Sequence, residues 1–237
     1  PDLLTPASLN LDGQQFVPDL AQSEEHSADY TQWTFKLPQN VTFHDISPVN
    51  GRQMTAEDVA YSFGVYQSQG LWSGPLKMVD RVSAVDQYTV RFDLKIPYFA
   101  LPSILAMPYY PIFAREHFEG PPDRWNQQPI GTGAFMMTFS DPATRFEGAR
   151  HPGYWEKDSA GRQLPYIDTF TGTYYQDRNA LLAGFRAGNV DTTTLLNVTE
   201  FQDLVKSVPD AYFVVSYHWA TYQNTIVPQW KNPVLAD

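Results

Sequence analysis

Residues 33–45 decide the fold class: Trp33-Thr34-Phe35-Lys36-Leu37, then Pro38, then Val41-Thr42-Phe43-His44-Asp45. Trp33, Phe35 and Leu37 alternate with Thr34 and Lys36, the period of a strand with one buried face. Pro38 interrupts it, and Val41 and Phe43 resume the odd-numbered face. Asn50-Gly51 is a strong turn signal. Thr55-Ala56-Glu57-Asp58 follows, and a Thr with a carboxylate three residues on, ahead of an apolar stretch, reads as a helix N-cap. The two early acids suit the positive end of the helix dipole. Val59, Phe63 and Tyr66 then share one helical face, and Gly70 is the expected stop.

Downstream, Val90, Phe92, Leu94 and Ile96 alternate with polar residues and predict a strand, with 80–86 as its hairpin partner through Asp86-Gln87. Prolines 102, 108 and 111 break residues 98–118 into short helices. Phe135, Met137 and Phe139 alternate again, and 145–150 can pair back across Asp141-Pro142. Residues 168–176 read as a strand, Asp177 as the cap of a helix to about Ala187, and Gly188 as its end. Thr199 with Gln202 reads as a further capping box, and Tyr212–Tyr217 as a final strand. The alternation of strand and helix after residue 165 suggests an α/β lobe, whereas the first 165 residues are richer in hairpins. A strand expectation also carries two glycines, Gly131 and Gly133, bracketing Thr132 at the entry to 135–139; one of them is expected in a backbone conformation that other residues avoid.

The 237 residues suffice for one large domain or two small ones. Thirty-five aromatics (15 Phe, 14 Tyr, 6 Trp) argue against disorder. The net charge of −10 disfavours nucleic acid as a partner, because the chain repels phosphate backbones. Nineteen Pro and 14 Gly argue against a helix bundle. The absence of Cys removes disulfide frameworks, Cys-ligated zinc, iron–sulfur clusters and thiol nucleophiles, and fits an oxidising compartment. No apolar run is long enough to span a membrane, and a signal peptide would lie upstream of Pro1.

No nucleophile elbow, P-loop or dinucleotide fingerprint is present. His26, His44, His117, His151 and His218 show no i, i+4 pair, so no metal site is read, no cofactor is expected and no catalytic residue is assigned. The aromatics are the informative feature. Tyr174-Tyr175, Tyr212-Phe213, Tyr217, Trp219 and Tyr222 crowd the last third, and Trp72 stands alone after a helix. They read either as packing or as an apolar stacking wall of a ligand cleft.

Three groups of residues resemble one family. The first is the 33–45 stretch with Thr55-Ala56-Glu57-Asp58-Val59 and Tyr61-Ser62-Phe63. The second is Pro129-Ile130-Gly131-Thr132-Gly133-Ala134-Phe135 with His151-Pro152-Gly153-Tyr154-Trp155. The third is Pro165-Tyr166-Ile167-Asp168, then Asn179-Ala180-Leu181, Phe185-Arg186-Ala187-Gly188 and Val190-Asp191. In order and spacing they resemble the extracytoplasmic solute-binding proteins of the peptide, opine and nickel type (family 5), which serve ABC importers. The chain departs from that pattern in its longer loop Ile46–Gly51 and after Tyr222.

The resemblance implies an α/β, periplasmic-binding-protein-like (type II) lobe with a mixed sheet, plus a hairpin-rich accessory subdomain. It implies that 1–128 is the accessory subdomain, that 129–237 is part of the first main lobe, and that the chain is an N-terminal-half fragment lacking a second lobe that closes by hinge motion. It implies capture of a peptide or similar small solute in the periplasm or outside the cell, delivery to an ABC permease, membrane contact only through that permease or an anchor such as a lipoprotein's, and no enzyme activity. It places ligand contacts around Trp72, after Val190-Asp191 and near Tyr217–Tyr222. Trp72, Tyr217, Trp219 and Tyr222 are thus the expected ligand-binding residues, on one concave wall facing the missing lobe.

Two other classes stay open on the residues alone. Stacking aromatics also suit an oligosaccharide-binding protein or a carbohydrate-binding module. A carboxylate pair could serve a hydrolase, although no pair is singled out.

Overall fold

Trp33 and Phe35 enter the core from one face of a short strand, and a second strand supplies their cross-strand partners. The computed structural model describes residues 4–6, 16–70, 72–119, 128–195 and 197–211. The strands and helices in chain order are β1 (Leu4–Pro6), β2 (Phe16–Pro18), β3 (Ser23–His26), β4 (Gln32–Lys36), α1 (Ala56–Gln69), a 3-10 turn (Gly74–Met78), β5 (Val79–Asp86), β6 (Thr89–Leu94), α2 (Leu101–Leu105), α3 (Arg115–Phe118), β7 (Phe135–Asp141), β8 (Arg145–Arg150), β9 (Thr169–Thr173), α4 (Arg178–Arg186) and α5 (Val198–Ser207). Two compact units result, Pro1–Thr173 and Tyr174–Asp237.

In the first unit, β3-β4-β6-β5 form one sheet, β7-β8-β9 another, and β1 pairs with β2. Trp33 faces Phe92 and Phe35 faces Val90 across β4 and β6, so one face of both strands is apolar. α1 covers that face. The Phe63 ring meets Phe92 edge-on at 4.9 Å, and Phe92 meets Phe35 edge-on at 5.5 Å. Each of these buried rings contributes roughly 1.5–3 kcal/mol.

The local signals operate as read. Asp58 accepts hydrogen bonds from the Thr55 N–H (3.0 Å) and hydroxyl (3.2 Å) at the start of α1. Asn50 and Gly51 both take left-handed backbone (φ +51° and +67°) in the turn before it. Asp177 accepts from the Asn179 and Ala180 N–H groups, and Gly188 (φ +73°) closes α4.

Several elements differ from expectation. β6 stops at Leu94, and Ile96 is 55% exposed, because Pro97 cannot extend a ladder. Val41 and Phe43 are buried without a strand; only Thr42 bridges, to Gln53. α5 is capped by Asn197, whose side chain accepts from the Glu200 N–H at 2.9 Å, so Thr199 lies inside the first turn. Asn is the stronger cap of the two. Left-handed backbone is absent at Gly131, where a Cβ would meet nothing nearer than the Ile112 carbonyl at 4.0 Å. Its role is to bond with His44, described below.

The chain is α/β. Every pairing among the described residues is antiparallel, including β7-β8-β9, where the Asp141–Arg145 hairpin dictates the direction. The expected strand at 212–217 lies outside the described residues. The expected 128/129 boundary falls inside the first unit, where Ile130 is part of the buried core.

Candidate functional site

α1 ends where the chain must turn sharply. A Cβ at Gly70 would sit 2.6 Å from the Tyr66 carbonyl oxygen, so the helix closes on a residue without a side chain. Trp72 follows, in the short link to the 3-10 turn, and is 38% exposed. Its indole lies flat on the Tyr109 ring, with centroids 4.0 Å apart and planes 9° apart. The Trp72 carbonyl accepts from the Tyr110 hydroxyl at 2.8 Å. Tyr110 is buried, and burial pushes its phenol up to about 12, so it remains a donor across the physiological range.

Tyr109 and Tyr110 stand between Pro108 and Pro111 and point to different environments, one against Trp72 and one into the core. α1 holds this segment in place. The Ser62 hydroxyl donates to the Phe113 carbonyl and accepts from its N–H, both at 3.2 Å. The Tyr66 hydroxyl donates to the Pro111 carbonyl. Arg52 binds the Asp58 carboxylate of α1 (2.6 and 2.9 Å) and the Glu116 carboxylate of α3 (2.6 and 2.7 Å) through the same guanidinium. These two partners raise the Arg52 pKa further, and Arg52 holds Glu116 below the usual carboxylate range. The Trp72–Tyr109 pair is therefore a braced platform of two parallel rings that can receive an apolar or planar group.

Of the four residues expected on the wall, Trp72 is described; Tyr217, Trp219 and Tyr222 lie outside the described residues. Trp72 is brought together with Tyr109, which sequence reasoning missed. The available signal was the tyrosine doublet between two prolines, where one ring must face away from the core. In the second unit, Asp191 of the expected contact loop is exposed, and Arg178 reaches from α4 to Glu200 of α5 (2.7 and 3.2 Å).

A cleft of about 490 Å³ also opens on the first unit between Asp19, Gln22, Asn40, Trp155 and Glu156. Trp72, the one expected wall residue that is described, does not line it. Among the described residues, no group of three or more His, Asp or Glu is placed to hold a metal ion, and no helix is long and apolar enough to cross a membrane.

Residues 15–237 match the family of Bacterial extracellular solute-binding proteins, family 5 Middle. The chain is 31% identical over 160 residues to Di/tripeptide-binding protein 2 of Pseudomonas aeruginosa (strain UCBPP-PA14), covering 59% of this chain and 30% of the relative. It is 28% identical over 191 residues to the Dipeptide-binding protein of Escherichia coli (strain K12), covering 71% of this chain and 34% of the relative. It thus spans about a third of the length of these relatives. Its fold is similar to that of the PBP AgaA from A. tumefaciens R10 in complex with agropinic acid, with a TM-score of 0.75 at 24% identity over 86% of this chain and 39% of that one.

Proposed function

The chain belongs to the bacterial extracellular solute-binding proteins of family 5, and from that premise we propose that it is part of the substrate-binding component of an ABC importer. It captures a peptide or similar small solute in the periplasm or extracellular space and delivers it to a membrane permease, without turning it over. The observation that carries this reading is the family match over residues 15–237, together with relatives named for di- and tripeptide binding. The exposed Trp72–Tyr109 platform supports it, because it offers a flat apolar surface beside a rigid helix. Trp72 contributes to the ligand wall with Tyr217, Trp219 and Tyr222, opposite a lobe that closes by hinge motion.

The test is calorimetry and thermal shift on the full-length natural protein with di- and tripeptides, oligosaccharides and Ni²⁺. Peptides are expected to bind and to raise the melting temperature, because a ligand stabilises only the folded state. Binding of oligosaccharides in place of peptides overturns the peptide reading. Hydrolysis of the peptide, abolished by one carboxylate substitution, overturns the non-enzymatic one.

A further inference from the structure

Two buried histidines grip the four residues that join the core to the three-stranded sheet. Ile130 is fully buried, and Phe135 begins β7; Gly131–Ala134 is all that lies between them. The His44 N–H donates to the Gly131 carbonyl at 2.9 Å. The His44 ring then takes the same segment at two further points. Its Nδ1 accepts from the Gly131 N–H at 3.3 Å, and its Nε2 bonds to the Gly133 carbonyl at 3.0 Å. The His151 N–H donates to the Ala134 carbonyl at 2.8 Å. The two rings meet edge-to-face with centroids 5.0 Å apart.

This pattern selects one protonation state. Nδ1 of His44 faces a donor, so it must be the unprotonated nitrogen, and Nε2 carries the proton that reaches Gly133. A second proton would point an N–H at the Gly131 N–H and break that bond. His151 Nδ1 is buried with no hydrogen-bond partner among the described residues, and the burial of the ring disfavours its imidazolium more than the Gly133 carbonyl favours it. Two imidazolium rings at this spacing would also repel one another.

We propose that His44 and His151 form an acid-released latch: as neutral rings they lock Gly131–Ala134, and on protonation they free it and loosen the three-stranded sheet from the core. The groups acting on the pair oppose one another. The Gly133 carbonyl and Asp45 favour charged His151, and the Gly133 and Pro129 carbonyls favour charged His44. Burial outweighs them, pushing His44 down to about 4 and lowering His151 as well. The released state therefore binds more protons between the ordinary pKa of 6.5 and about 4. The latch is fully closed above that window and weakens as pH falls through it.

Hydrogen exchange on the full-length natural protein, corrected for intrinsic rates, tests this between pH 7 and 4. The Gly131–Ala134 amides are expected to lose protection at least tenfold relative to the Val90–Leu94 amides of β6. His44→Gln, which can still donate to Gly133 but does not titrate here, is expected to flatten that dependence. Parallel loss in both segments, or the same pH profile in the variant, overturns the latch. Should the variant fail to fold, histidine NMR titration of the wild-type protein decides. Two histidines titrating well below the usual range support the proposal; all of them titrating near 6.5 overturns it.

Discussion

Phe146 lies over Gly172 of the neighbouring strand so closely that a Cβ on the glycine would sit 2.2 Å from the ring's Cζ. The register repeats the arrangement in mirror order: Phe146 pairs with Gly172, and Gly148 pairs with Phe170, where a Cβ would sit 2.3 Å from ring atom Cε1. The two rings meet at 5.8 Å, tilted by 70°. Each glycine leaves the space that the opposite ring fills.

Gly172→Ala is expected to destabilise the protein by about 1 kcal/mol, the low end for overpacking because the rings are only half-buried. Urea midpoints measure it, with an unchanged m-value. Adding Phe146→Leu should recover part of the loss. A neutral Gly172→Ala would show that the ring swings aside freely.

Arg52→Ala is expected to cost about 3 kcal/mol, because it strands the buried Asp58 carboxylate and unties α1 from α3 together. Thr55→Ala, which removes the capping hydroxyl bonded to Asp58 and leaves the guanidinium in place, is expected to cost about 1 kcal/mol. If the two variants melt alike under chemical denaturation, Asp58 is held chiefly by the cap and not by the guanidinium.

Glu116 supplies a pH dependence of its own. Its carboxyl lies below the ordinary value because Arg52 bonds to the charged form. The folded state therefore binds fewer protons than the unfolded chain in that range, and the stabilisation is present above the ordinary carboxylate pKa of 4.5 and lost as pH falls below it. Glu116→Gln should shrink the stability lost between pH 5 and 3, measured by thermal melts, while leaving the loss that arises from His44 above pH 5.

Trp72→Ala in the full-length protein is expected to weaken peptide binding at least tenfold, about 1.4 kcal/mol. The stability loss should be limited to the stack on Tyr109, about 0.5–1.5 kcal/mol. Tyr109→Ala should follow the same pattern. Unchanged affinity by calorimetry, with a large drop in melting temperature, would make Trp72 a packing residue only.

The parts of the fold that could be read directly are those whose signal is local. Val90, Phe92 and Leu94 alternate because their strand has one buried face, and Asp177 and Gly188 bracket α4 because helix ends need a side-chain acceptor and a left-handed residue. Local rules also misled. Thr199 has capping-box spacing, but Asn197 two residues earlier satisfies the helix first. Ile96 continues the alternation, but Pro97 ends the ladder before it.

The sequence alone determined the buried faces of β4 and β6, the caps of α1 and α4, the Asn50-Gly51 turn and the family, because each is written in residues a few positions apart. Only the tertiary structure decided that Trp72 would lie on Tyr109, that one guanidinium would bind both Asp58 and Glu116, and that His44 would hold Gly131 and Gly133. Those partners are 37, 64 and 89 residues apart. No periodicity links positions at such separations. Their meeting is set by how α1 packs on the β4–β6 face and where the following loops can then close.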